Sequence, residues 1–166
     1  MPMSEALLKE FDHETKTTRR VLERVPSDKF DWAPHPRSMT MGKLAGHIVE
    51  LIGWVPDTLG PDFFDFAAPR DPAPPSATTE QLLAVYDRNT GAARAAIAAV
   101  PDEAMSKPWS LKSGEQVFFT MPKASVLRFF VFNHVVHHRG QLSVYLRLND
   151  IPVPSIYGPS ADDPNC

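Results

Sequence analysis

The chain has 166 residues, of which 43% are hydrophobic and 22% are charged. This is ordinary globular composition for one domain, residues 1–166, and it argues against global disorder. The net charge of −3 gives no broad basic field, so nucleic acid is not the expected partner. The single cysteine, Cys166, excludes an intramolecular disulfide.

No segment has the pattern of a membrane anchor or an export signal. The N-terminal stretch MPMSEALLKEFDHETK is charged from Glu5 onward and lacks the apolar core of a signal peptide. The most apolar run, VLRFFVFNHVVHH, is interrupted by Arg128 and by histidines and is too short to cross a bilayer. We therefore expect a cytoplasmic protein with no membrane partner.

Two amphipathic helices are predicted in the first third of the chain. Apolar residues at helical spacing predict the first helix from Glu5 to Val25, closed by Pro26. A proline-broken connector, DWAPHPRS, separates it from a second helix. That helix runs from about Met41 to Pro56, with Ser38 or Thr40 as the candidate cap.

The remaining chain alternates between helices and proline-rich connections. The Pro/Ala-rich segment Pro61–Ala77 is not expected to form regular structure. The capping box TTEQ, residues 78–81, opens a third helix that ends near Val100. Residues 102–121 allow a short hairpin or a loop. Pro122 suits the first turn of a fourth helix ending near Leu148, and an irregular tail of about 150–166 follows.

Together these elements predict an all-α fold. Four helices with one long connection between the second and the third indicate a four-helix bundle that contains a crossover. Strand signals are too sparse for a core built on a sheet. Cofactor and metal sites in such bundles commonly lie between facing helices.

Three histidines lie within five residues of the fourth helix, in the stretch NHVVHHRGQLSVYL. At about 100° per residue, His134 and His138 lie at roughly 240° and 280° from Arg128, on the apolar side of the helix. His137 lies to one side of that face, near about 180°. Because His134 and His138 are four residues apart, their imidazoles can bind one metal ion from adjacent turns.

His47 is the candidate third ligand, because it lies between Leu44, Ile48 and Leu51 on the apolar face of the second helix. Three imidazoles would leave coordination positions open, as in catalytic rather than structural metal sites. A lone histidine on an apolar face is more often a hydrogen-bonded core residue. His137 could also replace His138 at i,i+3 spacing, so residue patterns alone leave these alternatives open.

The motifs DWAPHPRSMTMGKLAGHI, NHVVHHRGQLSVYLR and PVPSIYGPSAD, taken in this order, resemble the DinB-like superfamily. This is the damage-inducible, YfiT-related family of metal-binding four-helix proteins. The resemblance covers nearly the whole chain and implies an up-down-down-up bundle and frequent homodimers. It also implies a divalent metal, variously zinc, nickel or iron, held by residues that match His47, His134 and His138.

The family resemblance does not identify the reaction. Relatives that use mycothiol, bacillithiol or glutathione as cosubstrate suggest a transferase acting through a low-molecular-weight thiol, which a metal would ionise at neutral pH. The same metal could instead ionise water for hydrolysis. A third possibility is a non-catalytic stress protein that binds a metal or a small ligand.

The residues around the expected site give weaker signals. Glu50, three residues after His47, is a candidate base, although a solvated carboxylate is the simpler interpretation. His137 is a further candidate base, and a role at the surface or in a dimer interface is its alternative. Gln141 could orient water or substrate, although a hydrogen bond in helix packing is the simpler interpretation. Arg139 is expected in an interhelix or subunit salt bridge, and Tyr157 is a candidate to fold over the pocket.

The fourth helix has a second apolar face, formed by Phe129, Phe132 and Val136. A helix that is apolar on more than one face is buried on more than one side. This pattern and the family resemblance both lead us to expect a homodimer.

Overall fold

The computed structural model describes residues 2–69 and 75–164. Cys166 and part of the Pro61–Ala77 connection lie outside the described residues. The main helices are α1 (Met3–Leu22), α2 (Met41–Leu59), α3 (Thr79–Ala99) and α6 (Asn133–Leu148), and the short ones are α4 (Asp102–Met105) and α5 (Lys123–Ser125). A single 3-10 turn, Ser27–Lys29, lies between α1 and α2.

The ends of α2 and α3 follow from side-chain capping. Thr40 and Thr78 each accept a hydrogen bond from the backbone N–H three residues later, both at 3.3 Å. Such bonds satisfy one of the N–H groups that a helix start leaves unpaired. α2 continues through Pro56 to Leu59, three residues beyond the predicted end.

The predicted fourth helix is one continuous helical stretch with a change of geometry. α5 leads into a π-helical segment, Val126–Phe132, which leads directly into α6. The N–H of Asn133 donates to the carbonyl of Arg128, five residues back. Such segments are rare and recur at functional sites. Here the π-helical segment ends two residues before His134.

The all-α prediction was wrong in one respect, because the chain also forms a small sheet. Its strands are β1 (Phe63–Asp65), β2 (Pro108–Ser113) and β3 (Gln116–Pro122), in the order β1-β2-β3. β2 and β3 form an antiparallel hairpin, one of the two predicted alternatives for residues 102–121. β1 lies in the connection expected to be irregular and pairs with β2 in parallel. The fold is therefore mostly helical with a three-stranded sheet.

The four long helical stretches pack around one apolar core. α1 and α2 each contact both α3 and α6. Fully buried core residues include Phe11, Leu44, Ile48 and Leu142. No helix among the described residues is both long and apolar enough to cross a membrane.

Lys123, the first residue of α5, binds the C-terminal end of α2. Its side chain is only 3% exposed and forms an ion pair with Asp62 at 3.3 Å. Its Nζ donates to the carbonyls of Leu59 (3.1 Å), Gly60 (3.2 Å) and Pro61 (2.7 Å). Carbonyls at a helix C-terminus lack partners and favour a cation. This contact joins the two helical stretches that carry the histidines.

Candidate metal centre

Three histidines from two helices converge between α2 and α6. His47 lies on α2, and His134 and His138 lie on adjacent turns of α6. Their ring centroids are 4.7 to 5.1 Å apart, and one ligand atom from each lies within 4.8 Å of the others. The Nε2 atoms of His47 and His134 are 3.4 Å apart. The predicted grouping of these three residues therefore agrees with the structure.

The opposite nitrogens of the rings point at hydrogen-bond acceptors. His134 Nδ1 lies 3.3 Å from the carbonyl of Phe130, and His138 Nδ1 lies 2.7 Å from Gln141 Oε1. His47 Nδ1 is 3.6 Å from a carboxylate oxygen of Glu50. If each Nδ1 carries the proton, each Nε2 carries a lone pair that faces the other rings. Metal-binding histidines are held by acceptors in the same way.

Burial favours the neutral form of His134 and His138. Loss of solvent lowers the pKa of His134 below its ordinary value, and the neighbouring His138 and His47 lower it further. Burial also lowers the pKa of His138, although its bond to Gln141 acts in the opposite direction. A metal can bind only to the neutral form of histidine, so at neutral pH few protons compete for these nitrogens.

The donor set and its spacing fit a divalent transition metal. Ligand nitrogens about 2.0–2.1 Å from one tetrahedral zinc lie about 3.4 Å apart. The observed separation of the Nε2 atoms of His47 and His134 is 3.4 Å. With each Nδ1 protonated, the converging lone pairs would repel one another unless a cation lay between them. Within the described ranges, 2–69 and 75–164, the group has these three members and could hold a metal ion.

Comparison with known proteins identifies the family. The sequence profile of the DinB family matches residues 1–165. The chain belongs to the DinB family. A Bacillus subtilis (strain 168) relative, the uncharacterized protein YrdA, is 27% identical over 160 residues, which cover 94% of this chain and 89% of YrdA.

Two solved structures share the DinB fold. A DinB-like protein from Bacillus cereus ATCC 10987 has a TM-score of 0.73 at 24% identity, covering 92% of this chain and 97% of its own. The DinB-like protein YjoA from Bacillus subtilis has a TM-score of 0.69 at 16% identity, with 95% and 98% coverage. At these identities the comparison shows the fold alone. The family resemblance expected from the sequence motifs is confirmed by the profile match over residues 1–165.

The three candidate supporting or catalytic residues of this DinB protein differ in their contacts with the histidine group. Gln141 contacts it directly, through the bond to His138 Nδ1. Glu50 is 74% exposed and reaches only the outer nitrogen of His47. His137 is exposed, and its ring lies 4.8 Å from that of His138. Of these candidates, Gln141 is therefore the one that is hydrogen-bonded to a proposed metal ligand, His138.

Arg139 and Tyr157 belong to a different cluster. Arg139 is 1% exposed and pairs with Glu14 of α1 at 2.7 Å, as the predicted interhelix salt bridge requires. The hydroxyl of Tyr157 accepts a bond from Arg139 Nη2 at 2.6 Å and lies 3.0 Å from both carboxylate oxygens of Glu14. Tyr157 therefore fastens the tail to α1 and α6 rather than serving as a cover over the histidines.

Sequence reasoning missed two neighbours of the histidine group. One is the carbonyl of Phe130, which lies in the π-helical segment and carries no residue-type signal. The other is an aromatic wall, in which the Phe130 ring lies 5.8 Å from His134 and 5.4 Å from Trp54. Trp54 follows His47 by seven residues, two helical turns on the same face, which is a spacing that could have indicated it.

Proposed function

We propose that His47, His134 and His138 bind a divalent transition metal and that the protein is a metal-dependent transferase with a thiol cosubstrate. The observation that carries this proposal is the convergence of three imidazoles whose outer nitrogens lie beside acceptors. Zinc, nickel and iron all accept imidazole ligands, so the donor set is compatible with each of them.

The metal would supply a positively charged, open coordination position at which a thiol loses its proton at neutral pH. The residues of the chain orient this site. Gln141 and the Phe130 carbonyl fix the rings of His138 and His134, which keeps their Nε2 atoms pointed at one place. We assign Gln141 as a positioning residue. Glu50, exposed beside His47, is the available acceptor for a proton released there.

We assign His137 no direct part in metal binding or catalysis, because its side chain is exposed. We infer instead that it lies at the rim of the site, where it contacts the His138 ring. Replacement of His137 is therefore a control for replacement of the three proposed ligands, because it is a histidine on the same helix.

We also propose a helix arrangement, a domain organisation and an oligomeric state for this chain. The helix contacts support an up-down-down-up four-helix bundle, since α1 and α2 each lie beside both α3 and α6. We also propose that residues 1–166 form one domain in a cytoplasmic homodimer. Phe129 supports the dimer, because its side chain is 64% exposed, whereas Phe132 is buried in the core of its own chain.

The alternative reaction is hydrolysis by metal-activated water. Three neutral ligands leave the full charge of a divalent ion at the site, which favours ionisation of water as well as of a thiol. The two reactions differ in their dependence on a thiol. A non-catalytic metal-binding protein would show neither.

Turnover measured with and without thiols separates these functions. Metal-loaded protein is incubated with several low-molecular-weight thiols and an electrophilic aryl halide, and separately with ester substrates in the absence of thiols. We expect thiol-dependent turnover, together with thiolate-to-metal absorption in the cobalt-substituted protein. His134→Ala should abolish both signals and His137→Ala should preserve them. Thiol-independent ester hydrolysis, or tight metal binding without any turnover, would contradict the transferase.

A further inference from the structure

The aromatic wall beside the histidine group continues toward the sheet as a series of rings. The Phe130 ring lies 5.8 Å from the ring of His134 and 5.4 Å from that of Trp54. Trp54 stacks on Phe64 at 4.8 Å, and the ring of Phe66 lies 6.0 Å from Trp54. These separations lie within the range over which aromatic rings attract one another. The rings therefore connect the histidine group to the sheet.

The series of rings leads away from the histidines in one direction. On α2, Trp54 follows His47 by seven residues, which is about 10 Å along the helix. On the facing stretch, Phe130 precedes His134 by four residues. Because the later residue of α2 meets the earlier residue of the facing stretch, the two stretches run antiparallel here. Both rings are therefore displaced toward the C-terminal end of α2, from which the chain continues into β1.

The series reaches the surface of the protein at the sheet. Phe66 is 45% exposed, and its ring lies 6.3 Å from that of Phe118, which is 50% exposed. The register between β2 and β3 shifts at Leu111 and Lys112, which places Phe118 in a β-bulge. Such bulges redirect a side chain and recur beside functional sites. We define the aromatic path as the five residues Phe130, Trp54, Phe64, Phe66 and Phe118.

The aromatic path is more than the edge of a buried core. Trp54, Phe64 and Phe130 pack against the small apolar cluster around Trp109, but each is only half-buried. Single exposed apolar side chains are ordinary, whereas adjoining ones that form a patch mark binding sites. The rings come from α2, from the chain around β1, from β3 and from the π-helical segment. The patch is therefore assembled by the tertiary fold and not by one amphipathic element.

The charge beside the exposed end of the path is paired within the chain. The carbonyl of Lys112 accepts a hydrogen bond from the Phe66 N–H, and the Lys112 ammonium group pairs with Asp65 at 3.5 Å. It also lies over the ring of Phe63, 4.2 Å from its centroid. The path itself consists of uncharged rings, so a charged group placed against it would lose water without gaining an ion pair from these residues. A neutral, flat ring matches the faces and edges that the path offers.

We infer that the electrophilic substrate of the histidine centre carries a neutral aromatic group, which lies against Phe130, Trp54 and Phe66. This inference rests on the proposed function, because it presumes that the three histidines hold the metal at which the substrate reacts. Phe130 adjoins the histidines and contacts the end of the aromatic group next to the reacting atoms. Phe66 contacts the far end. The path determines which substrates bind, and the chemistry stays with the histidine centre.

A series of hydroxamates tests the inference without a thiol. Acetohydroxamate, benzohydroxamate and 4-phenylbenzohydroxamate share one metal-binding group and carry no ring, one ring and two rings. Each is titrated into cobalt-loaded protein, and binding is followed by the change in cobalt absorption. We expect the affinity to rise about two- to tenfold with each added ring, the range for one aromatic contact. Equal affinities for the three compounds would overturn the inference.

A saturated ring separates aromatic recognition from general apolar binding. 4-Cyclohexylbenzohydroxamate has the same metal-binding group and a terminal ring of the same carbon number, but that ring is not flat and has no π-system. It should bind more weakly than 4-phenylbenzohydroxamate, because it loses the ring-to-ring attraction. Equal or tighter binding of the cyclohexyl compound would overturn the assignment of an aromatic substrate.

Variants of the path assign the contribution of each ring. Phe130→Leu should remove most of the gain from the first ring, and Phe66→Ala should remove most of the gain from the second. Phe63→Ala is the matched control, because Phe63 is 50% exposed on the same stretch of chain and its ring lies under Lys112. It should leave all three affinities unchanged, and every variant should keep the metal content of the wild type. An undiminished second-ring gain in Phe66→Ala would overturn the inference.

A second copy of the chain is the other occupant that could cover the aromatic path. Sedimentation of the wild type, Phe66→Ala and Phe118→Ala distinguishes it from a substrate. We expect all three proteins to have the same oligomeric state. Variants that dissociate and still gain affinity from both hydroxamate rings would identify the path as a subunit interface and overturn the inference.

Failure of the proposed function can be distinguished from failure of this inference. If no hydroxamate binds, the metal centre fails, and the path is tested without metal. Biphenyl-4-ol is then added, and the indole N–H resonances of Trp54 and Trp32 are followed. Trp32 is the internal control, since its ring lies 5.5 Å from that of Tyr145. A shift of the Trp54 resonance alone, lost in Phe66→Ala, would support aromatic binding, and its absence would overturn it.

Discussion

α6 contributes to two polar clusters, which differ in how their polar atoms are paired. Around Arg139, the guanidinium, the carboxylate of Glu14 and the hydroxyl of Tyr157 bind one another. One residue earlier, His138 turns its Nδ1 to Gln141 and its other nitrogen toward His47 and His134. The first cluster is complete within the chain, whereas in the second the Nε2 atoms of His47 and His134 face each other at 3.4 Å.

The contrast shows how a structural cluster and a ligand site can be told apart. A buried charge is retained when the protein itself supplies every partner, as for Arg139. Lone pairs that converge without a donor indicate a group the chain does not supply. Removal of a residue from the Arg139 cluster should therefore reduce stability, and removal from the histidine cluster should reduce metal binding.

The largest expected effect is on the Arg139 cluster. Arg139→Met should lower the free energy of unfolding by about 3–5 kcal/mol, because the largely buried Glu14 carboxylate loses its cation. Arg128→Met is the control, since Arg128 pairs with Glu10 at the surface and should contribute less than about 1 kcal/mol. Urea unfolding of both variants measures the difference. Equal destabilisation would contradict the distinction between the clusters.

Metal removal should act on the histidine cluster with a somewhat smaller effect on stability. Free metal at a thousandfold its dissociation constant stabilises the native state by about 4 kcal/mol. For a chain of this size that corresponds to an increase of roughly 8–16 °C in Tm. Thermal unfolding with zinc and with a chelator measures it. His47→Ala should show no metal-dependent shift, whereas His35→Ala, in the exposed connector, should behave like the wild type.

Variants of Gln141 test whether its hydrogen bond to His138 contributes to metal affinity. Gln141→Leu removes the acceptor for His138 Nδ1 and should weaken metal affinity about 10- to 100-fold. Gln141→Glu keeps an acceptor and should bind metal more tightly than Gln141→Leu. Competition with a chromophoric chelator measures both affinities. Unchanged affinity in Gln141→Leu would show that the bond does not orient the ring.

The smallest expected effect is the pH dependence of the metal-free protein. Because the pKa values of His134 and His138 are lowered on folding, the unfolded chain binds more protons just below the ordinary histidine pKa of about 6.5. Their contribution to stability is therefore present above that pH and is lost as the pH falls toward the lowered values. Tm measured between pH 8 and 5 should decline less in His134→Gln. A steeper decline in that variant would contradict this account.

Much of the helical framework and the histidine group could be predicted from local sequence. The TTEQ cap at Thr78 marks a helix start that the structure confirms, with Gln81 N–H donating to the threonine oxygen. Spacing of four residues placed His134 and His138 together, and the apolar neighbours of His47 placed it on the facing helix. These signals are local because helical periodicity depends on residues within two turns.

The features that were missed depend on distant partners or on a change of helical geometry. β1 pairs with β2, and Phe63 is in register with Ser110 far along the chain, so its own proline-rich surroundings do not reveal a strand. The π-helical segment departs from the 100° period on which the angular prediction relied. At that period Arg139 would lie about 20° from Arg128, on the same polar edge of the helix. In the structure Arg139 is instead buried against Glu14 of α1.

Elemental analysis of the purified protein tests the central claim most directly. The wild type should contain close to one divalent transition-metal ion per chain, and so should His137→Ala, which changes a histidine on the same helix. His47→Ala, His134→Ala and His138→Ala should each lose most of that metal while remaining folded. Wild-type protein that cannot be loaded with metal, or full metal content in all three ligand variants, would contradict a metal centre at these histidines.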